Sequence, residues 1–428
     1  MKKVLIITYY WPPASGSGVQ RFLKFSKYLR DFGWEPVILT VKNGTHVAYD
    51  ESLLNDIPKG VKVFKTKTFE PFAFYSMLSK KKASMSKGST GLQKDTFLQK
   101  LLIYIRANFF IPDARKGWYN FACKKAVEII ETEAIDAIIT TGPPHSTHLI
   151  GHYLKDKIRL PWLADMRDPW TTVFYNEFFP RTKSTQKKDK NLEDLVLKSA
   201  DLVTVVSKGM NDEFKDRANK ICTIYNGFDE GDFKTKESSR SSKFTITYTG
   251  NFFQSQNIEL LWKCIDDLTK EDSSFKENLS LNFVGNVDKQ ILDSLNRYNL
   301  STFLEIEGFL PHDIAIDRML SSSLLLLIIP NSERNNLIIT GKIFEYLATS
   351  KPILSIGPNG NASNIISESG NNKMIDYDDY DEMKRQIISA YTHWKDNTVS
   401  VSVNDRINTF SRKTLTGLLA EQLNSISD

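Results

Sequence analysis

Charged side chains follow a short apolar run in the stretch 165–170 of this 428-residue chain. Asp165 and Asp168 carry carboxylates, and Arg167 between them carries a guanidinium. Such groups are costly to bury unless they are paired, and ligands of α/β proteins bind at the carboxyl ends of strands. We therefore predict that Arg167 and Asp168 contribute catalytic groups. The alternative is an internal Arg–Asp pair that stabilises the loop.

Two histidines, His145 and His148, follow a second apolar run at 134–141. Residues three apart can share one face of a helix. No carboxylate or cysteine lies near them in the sequence to complete a metal-ligand set. We therefore predict that they donate hydrogen bonds to a substrate sugar or phosphate. The alternative is a pair of surface histidines without a role.

A glycine-rich loop follows the first apolar run of the chain. Gly16 and Gly18 precede a helical pattern, where small residues let the backbone approach a phosphate and the helix N-terminus favours an anion. The dinucleotide-binding pattern requires glycine where this chain has Arg21, so the loop indicates NAD only weakly. Phosphate or sugar binding and a plain tight turn are the two open interpretations.

The stretch 340–354 places Gly341, Lys342 and Glu345 at the start of another helical pattern. The helix dipole disfavours a cation in the first turn, and a bound anion such as a diphosphate would explain Lys342. Glu345 lies one turn further along and could accept hydrogen bonds from two ribose hydroxyls. The alternative is an exposed ion pair between Lys342 and Glu345.

Small, flexible residues follow three further apolar runs in the second half of the chain. Because ligands bind at the carboxyl ends of parallel strands, this repetition indicates a ligand-binding edge. The candidate ligand-binding residues in these turns are Gly250, Asn251, Gly308 and Leu310.

Two series of apolar runs, separated by helical patterns, must position these residues. Such alternation predicts parallel sheets with right-handed crossovers, and hence two doubly wound α/β domains. The first series predicts strands at 3–9, 36–41, 61–65, 134–141, 161–165 and 201–207. The second series predicts strands at 244–248, 279–284, 304–307, 324–329 and 352–356. Predicted helices include 119–131, 258–268 and 342–349.

The chain is predicted to contain a domain over 1–232, a linker over 233–243, a domain over 244–395 and a helical segment over 396–428. The linker is assigned from its polar, small and charged residues. A hydrophobic fraction of 41% is normal for a soluble globular protein. The three cysteines form no CxxC pair, which argues against disulfides and zinc and favours a reducing cytosol. No apolar run approaches the roughly 18 residues that a membrane span requires.

Positive charge is concentrated between residues 76 and 116, with nine basic and two acidic residues, although the whole chain carries only +5. This distribution argues against a nucleic-acid-binding protein and favours one docking patch. Residues 79–94 predict a mobile loop. Apolar residues at helical spacing follow it: Leu98, Leu101, Leu102, Ile105 and Phe109. This stripe could lie on an anionic membrane or pack on the first domain.

Five motifs in a fixed order carry a resemblance to a known family. They are ASGSGVQR at 14–21, SKGM at 207–210, YNGFD at 225–229, YTGN at 248–251 and GKIFEYLATSKPIL at 341–354. Together they resemble the GT-B glycosyltransferases of the retaining family 4 type, across nearly the whole chain. The last motif is quite specific, and the others are individually weak.

The resemblance implies two Rossmann-like domains that face a cleft, with the segment 396–428 returning to the N-terminal domain. The first domain would hold the acceptor, and the second the nucleotide-sugar donor. The implied reaction transfers a sugar, with retention, from a UDP- or GDP-linked donor to a glycan or polyprenyl-linked acceptor. The implied setting is bacterial polysaccharide and cell-envelope biosynthesis, in the cytoplasm or on the inner face of the plasma membrane, without a metal or other cofactor.

Individual residues acquire roles only through this resemblance. Glu345 aligns with the second glutamate of the family's E-x7-E pattern, which binds the donor ribose, and Lys342 would lie near the diphosphate. Gly16 and Gly18 would approach the donor phosphate. His148 or His145 matches the first-domain histidine near the transferred sugar.

The chain also departs from the family pattern. Leu337 stands where the first glutamate is expected, and Asn251 stands where arginine is common. Lys342, Arg21 and backbone amides would then meet the diphosphate charge. Two alternatives stay open: a GT-B nucleotide-sugar epimerase that uses Asp168 and the histidines, and a non-catalytic nucleotide-sugar-binding subunit.

Overall fold

The structure is a computed structural model, and it describes residues 1–46, 49–70, 97–173, 176, 179–233, 241–370, 373–398 and 405–427. The chain forms two compact units. One runs to Asn226 and takes up the chain again at Arg412, and the other is Gly227–Ser411. The division falls at 226/227, where the sequence predicts 232/233. Phe228 belongs to the second unit because its backbone N–H donates to the Phe410 carbonyl.

The first unit is built on a parallel sheet. Its strands are β1 (Lys2–Thr8), β2 (Trp34–Val41), β3 (Lys62–Thr66), β4 (Ala137–Gly142), β5 (Trp162–Met166), β6 (Leu202–Val205) and β7 (Ile221–Thr223). Within the described residues their order is β3-β2-β1-β4-β5-β6-β7, and every neighbouring pair is parallel. The helices between them are α1 (Ser17–Tyr28), α2 (Phe97–Phe109), α3 (Tyr119–Glu133), α4 (Ser146–Ile158), α5 (Lys183–Ser199) and α6 (Lys208–Phe214).

Apolar packing covers both faces of this sheet, which explains why its strands read as continuous apolar runs. In β1, Leu5 and Ile7 belong to one hydrophobic cluster, whereas Val4 and Ile6 belong to another. Because successive strand residues point to opposite faces, the two clusters lie on opposite sides of the sheet.

The second unit is also built on a parallel sheet. Its strands are β8 (Phe244–Thr249), β9 (Leu279–Val284), β10 (Leu304–Gly308), β11 (Leu324–Ile328) and β12 (Ile353–Ile356). Among the described residues their order is β10-β9-β8-β11-β12. The helices are α7 (Glu259–Glu271), α8 (Ser273–Asn278), α9 (Lys289–Arg297), α10 (His312–Ser321), α11 (Lys342–Ala348), α12 (Asn361–Glu368) and α13 (Tyr380–Lys395).

The last helix, α14 (Arg412–Ser427), belongs to the first unit. Leu415, Leu419 and Leu423 share the hydrophobic cluster of Phe22 and Leu23 in α1. Short 3-10 helices complete the described secondary structure at Leu29–Phe32, Glu51–Asp56, Lys116–Trp118, Glu230–Asp232, Gln254–Gln256, Ser301–Phe303, Asn335–Leu337 and Asp405–Phe410.

The predicted strands are confirmed, with small differences at their ends. The strand predicted from 134 begins at Ala137, because α3 continues to Glu133 and Ala134 ends it with a φ of 54°. Strand β7 was not predicted, because its three half-buried residues are too few to show an alternation of apolar and polar side chains. The cysteines are free, as predicted. Most of the predicted linker, residues 234–240, lies outside the described residues, as does the predicted loop 79–94.

The apolar residues that helix α2 exposes are not the same set as the predicted apolar stripe. The exposed apolar side chains of the helix are Phe97, Leu101, Tyr104 and Phe109. Leu102 and Ile105 are half-buried, and the side chain of Leu98 is outside the described set. None of the described helices combines the length and the apolar composition that a transmembrane span requires.

Candidate functional site

The predicted residues of the first unit follow three strands that are neighbours in its sheet. Gly16 and Gly18 follow β1, His145 and His148 follow β4, and Arg167 follows β5. Strand β4 pairs with β1 although β2 and β3 intervene along the chain, so the connections leave β1 and β4 in opposite directions. Such a switch point is where open α/β sheets bind ligands.

His148 is fully buried, and one edge of its ring is held by the core. Its Nδ1 lies 2.9 Å from the Thr140 hydroxyl, which also accepts a hydrogen bond from Trp162 Nε1 at 2.8 Å. These two contacts fix the orientation of the ring, and Nε2 has no hydrogen-bond partner among the described residues. A side chain on Gly142 would place Cβ 2.5 Å from Nε2. The glycine therefore makes room for this ring.

His145 lies against an aromatic plane. Its ring stacks on the Trp170 indole with a centroid separation of 4.8 Å and an interplanar angle of 9°. Burial and the neighbouring His148 lower the pKa of His145 well below its ordinary value. Burial, reinforced by the Arg167 charge, lowers the pKa of His148 to about 3. Both imidazoles are therefore neutral near pH 7 and act as hydrogen-bonding groups.

Unpaired polar atoms are gathered at this edge of the first unit. Among the described residues, the buried side-chain atoms without a hydrogen-bond partner include Trp11 Nε1, both ring nitrogens of His145, Thr147 Oγ1, His148 Nε2 and Arg167 Nε. Each such group costs roughly 1–3 kcal/mol when it stays unpaired. Native structures accept that cost where a ligand or ordered water completes the bonding, so these atoms are candidates for contact with a ligand.

Gly18 and Arg167 are fitted to each other. A Cβ on Gly18 would lie 1.5 Å from Arg167 Nη1, so the guanidinium occupies the space that a side chain would need. Arg167 Nη2 donates to the Pro143 carbonyl. Burial raises the pKa of Asp168, the next residue along the chain, and the Arg167 charge only partly offsets that shift. Gly16 has a φ of 122°, a conformation that favours glycine.

Arg21 was predicted to contact the donor, but in the structure its side chain belongs to the core of the first unit. Its guanidinium is fully buried, with Nη2 2.7 Å from Asp165 Oδ1 and Nη1 donating to the Tyr225 carbonyl at 2.8 Å. Asp165 also accepts from the hydroxyls of Thr141 and Thr204. The alternative to a catalytic role for Arg167 was an internal Arg–Asp pair. Such a pair is formed, but Asp165 pairs with Arg21, and Arg167 remains a candidate site residue.

The second unit has its own candidate edge, at the carboxyl ends of β8, β9 and β10. Gly250, Gly285 and Gly308 end these strands with φ values of 96°, 125° and 66°. Because Gly285 lacks a side chain, it approaches the Gly250 carbonyl closely: a Cβ would lie 2.3 Å from that oxygen. Asn286 Nδ2 donates to Asn251 Oδ1 at 3.0 Å. The three strand ends therefore form one continuous backbone surface.

Lys342 reaches this edge from the first turn of α11. Its Nζ lies 3.7 Å from the centre of the Tyr248 ring, and a Cβ on Gly250 would lie 3.4 Å from it. No carboxylate lies within ion-pair distance of Nζ in the part of the chain that the structure describes. Burial lowers the pKa of Lys342 to about 7, and Glu345 opposes that shift. An arriving anion would supply the missing counter-charge.

Glu345 pairs with a histidine that the sequence analysis left out of the site. Its Oε1 lies 2.9 Å from His312 Nε2, and His312 Nδ1 lies 3.9 Å from Asp232 Oδ2. The alternative ion pair between Lys342 and Glu345 is not formed. His312 follows Gly308 and Leu310 at a strand end, which was the signal available in the sequence.

Tyr346 fixes α11 to the end of β8. Its hydroxyl accepts from the Thr249 N–H at 3.0 Å and lies 3.1 Å from the Thr249 hydroxyl. Gly341 precedes α11, and Leu337 lies half-buried in the 3-10 helix before it. The structure thus gathers Gly250, Asn251, Gly308, Leu310, Gly341, Lys342 and Glu345 within the second unit. Gly16, Gly18, His145, His148, Arg167 and Asp168 lie in the first.

Solved structures share this fold. HepE from Anabaena, in complex with UDP, has a TM-score of 0.64 and 16% identity, with 99% of this chain and 100% of that chain covered. Sucrose-phosphate synthase from Thermosynechococcus elongatus has a TM-score of 0.63 and 14% identity, covering 99% and 100%. WaaG, a glycosyltransferase involved in lipopolysaccharide biosynthesis, has a TM-score of 0.56 and 11% identity, covering 98% and 99%.

These likenesses concern the fold. They confirm the predicted fold class, α/β of GT-B type with two doubly wound parallel-sheet units. A second HepE structure contains UDP-glucose. No family model and no curated protein matches the chain. Among the described residues, no group of three or more His, Cys, Asp or Glu side chains is placed to hold a metal ion.

Proposed function

We propose that this chain is a glycosyltransferase of the retaining family 4 type. It transfers a hexosyl or N-acetylhexosaminyl group from a UDP- or GDP-linked donor to a glycan or polyprenyl-linked acceptor. The observation that carries the proposal is the Lys342 ammonium, half-buried on Tyr248 and without a carboxylate partner among the described residues, beside the glycine-lined ends of β8, β9 and β10. UDP and UDP-glucose bound to HepE favour a UDP-linked donor.

In this proposal the second unit binds the nucleotide. The diphosphate pairs with Lys342, while Gly250 and Gly308 let its oxygens approach backbone N–H groups. Glu345 accepts hydrogen bonds from the ribose hydroxyls. The hydrogen bond to His312 holds that carboxylate in place, so its orientation is set before the nucleotide arrives.

The first unit binds the acceptor. The Nε2 atom of His148, the ring nitrogens of His145 and the Arg167 guanidinium form hydrogen bonds with hydroxyls of the sugars. The leaving diphosphate takes the acceptor proton, as in front-face transfer with retention. The protein contributes by stabilising the charge that develops on the diphosphate. Neither a metal nor another cofactor is predicted, so activity should survive chelation with EDTA.

The first test is a thermal-shift comparison of UDP, GDP, ADP and NAD at equal excess. A ligand at about 100 times its Kd adds about 2.7 kcal/mol of stability. We expect stabilisation by one nucleoside diphosphate and none by NAD. A panel of sugars linked to that nucleotide is then assayed for release of the nucleoside diphosphate. Stabilisation by NAD alone, or by none of the four, would contradict the proposal.

An epimerase is the second candidate, and one observation favours it. Burial raises the pKa of Asp168, which follows β5, and the two neutral histidines follow the neighbouring strand β4; such groups are suited to moving a proton at a sugar carbon. An epimerase would incorporate deuterium from heavy water into the sugar of the donor without releasing the nucleotide. A transferase would release the nucleotide without that exchange, so one mass spectrum distinguishes the two.

The cellular setting stays a prediction. We expect a role in bacterial polysaccharide or cell-envelope biosynthesis, at the inner face of the plasma membrane. The predicted membrane-contact segment, 76–116, is described by the structure only from Phe97 onward.

A further inference from the structure

A cavity in the second unit lies at the edge of the sheet opposite to Lys342. Strands β8, β11 and β12 are parallel neighbours, and residues just before the start of each one line the cavity. Lys342 contacts Tyr248 and approaches Gly250, at the other end of β8. The cavity has a volume of about 250 Å³. Because pockets for drug-sized ligands measure about 300–1,000 Å³, this one suits a ligand smaller than a nucleotide.

Lys351 brings a positive charge to the cavity. Among the described residues that line it, Lys351 is the only lysine, arginine, aspartate or glutamate. The side chain is half-buried, and burial lowers the pKa of its ammonium. It forms no ion pair within the described part of the chain. The Lys351 charge therefore remains to be paired by an anionic ligand.

Helices α10, α11 and α13 end at the same edge, and free carbonyls at helix C-termini would oppose an anion. Turn N–H groups occupy carbonyls at each of these ends. The Thr349 N–H donates to the Tyr346 carbonyl at 3.1 Å, and the Ser322 N–H donates to the Met319 carbonyl at 3.2 Å. The Asn397 N–H donates to a carbonyl in the last turn of α13 at 3.3 Å. This bonding weakens the repulsion that an anion beside Lys351 would meet.

The remaining wall of the cavity is suited to a sugar. The Trp394 indole packs on the Tyr391 ring, with centroids 5.7 Å apart and an interplanar angle of 22°. This contact holds the indole in place, and its apolar plane can cover the C–H groups of a pyranose ring. Ser321, Ser350 and Thr398 also line the cavity, and their hydroxyls can exchange hydrogen bonds with sugar hydroxyls.

We propose that this amino-edge cavity, lined by Ser321, Ser350, Lys351, Trp394 and Thr398, binds a phosphorylated monosaccharide. The phosphate pairs with Lys351, and the sugar ring lies against Trp394. Inorganic phosphate would leave the indole unused, and a neutral sugar would leave the ammonium without a counter-charge. The site is independent of the proposed sugar transfer, because it lies at the edge of the sheet opposite to the nucleotide-binding edge.

The test is calorimetric titration of the full chain with three kinds of probe. The first kind is the 6-phosphates of glucose, mannose and N-acetylglucosamine, the second is the three free sugars, and the third is inorganic phosphate. We expect at least one sugar phosphate to bind roughly tenfold more tightly than its free sugar and than inorganic phosphate, since it combines a charged contact with the contacts of the ring.

Variants localise the binding. Lys351→Gln should lower affinity for the sugar phosphate about 10- to 100-fold, because a charged contact is lost, and should bind UDP as the parent does. Trp394→Leu should lower affinity for the sugar phosphate severalfold and leave that for inorganic phosphate unchanged. The matched control Lys289→Gln removes an exposed lysine of the same unit and should bind every probe as the parent does. Lys342→Met should keep its affinity for the sugar phosphate.

The proposal is overturned if no sugar phosphate binds, or if the free sugar or inorganic phosphate binds as tightly. It is equally overturned if Lys342→Met rather than Lys351→Gln loses the binding, which would place the ligand at the nucleotide-binding edge, or if the control loses as much affinity as Lys351→Gln. Melting temperatures without ligand verify that each variant folds. The UDP titrations keep a failure of nucleotide binding separate from a failure of this cavity to bind.

Discussion

The candidate ligand-binding edges of the two units differ in how their buried polar and charged side chains are compensated. The first unit keeps two neutral histidines inside its core, and three of their four ring nitrogens have no partner among the described residues. Two of its fully buried charges, Arg21 and Asp165, neutralise each other. The second unit keeps one ammonium, Lys342, over an aromatic ring with no carboxylate at ion-pair distance in the described residues. Neutral imidazoles can orient hydroxyl groups, whereas an uncompensated cation is prepared for an anion. The comparison teaches that the presence or absence of a counter-charge distinguishes structural charged residues from ligand-binding ones better than the spacing of motifs does.

The largest effect should come from breaking the neutral balance of the first unit. Asp165→Asn leaves the buried Arg21 guanidinium without its counter-charge, which costs about 3–5 kcal/mol. Urea denaturation measures this change in the free energy of unfolding. The matched control is Glu35→Gln, which removes a half-exposed partner of Arg30 and should cost less than about 1 kcal/mol. Equal losses in both variants would contradict the assignment of Arg21 to the core.

Removing the cation of the second unit should act on binding rather than on folding. Lys342→Met deletes a charged contact worth about 1.5–3 kcal/mol, so we expect UDP affinity to fall roughly 10- to 100-fold by calorimetry. Stability without UDP should be unchanged or higher, because a half-buried ammonium is removed. A large loss of stability with unchanged UDP affinity would instead make Lys342 a packing residue.

The same lysine predicts a dependence on pH. Its pKa is about 7 in the folded chain and 10.5 as the ordinary value. Below pH 7 the lysine is charged in both states and burial of the charge opposes folding. Between pH 7 and 10.5 the folded state releases the proton first, so stability rises with pH in this window. UDP affinity should fall over the same window as the ammonium is lost. Lys342→Met should flatten both curves.

A smaller effect should follow from filling the space at Gly18. The Cβ of Gly18→Ala would meet Arg167 Nη1 at 1.5 Å, so the guanidinium must move. Overpacking of this kind costs about 1–3 kcal/mol. The double variant Gly18→Ala/Arg167→Ala should recover most of that loss, because the clash is removed. Failure of the double variant to recover would mean that the strain is in the backbone and not in the contact.

The smallest effect is expected at Glu345. Glu345→Gln keeps the shape of the side chain and removes its charge, so each ribose hydrogen bond weakens by about 0.5–1.5 kcal/mol. We expect UDP affinity to fall roughly twofold to tenfold, with little change in the melting temperature without ligand. A large fall in that melting temperature would show that the contact with His312 serves stability.

The sequence predicts the fold well because its signals are local. Continuous apolar runs identify the buried parallel strands, and Gly250 and Gly308 identify the turns that end two of them. Strand β7 has no such signal, since Ile221–Thr223 is short and half-buried. The start of β4 was misplaced because Ala134, a residue with no turn preference, ends α3 in the left-handed conformation.

The site was harder to predict because pairing is not local. Asp165 lies two residues from Arg167 in the sequence, yet its partner is Arg21, 144 residues away. The partner of Glu345 is His312, 33 residues earlier, rather than the adjacent-turn Lys342. Spacing along a helix can nominate a pair, but only the packing of separate strands decides which charges meet.

The return of α14 to the first unit has a consequence for synthesis on the ribosome. Val19, Phe22 and Leu23 in α1 are covered by leucines that emerge about 390 residues later. Gly227–Ser411 leaves the exit tunnel as a contiguous whole and can fold before the unit that precedes it is complete. The first-made unit is therefore the last to finish, and until Leu423 is added its nascent chain displays an apolar surface to chaperones.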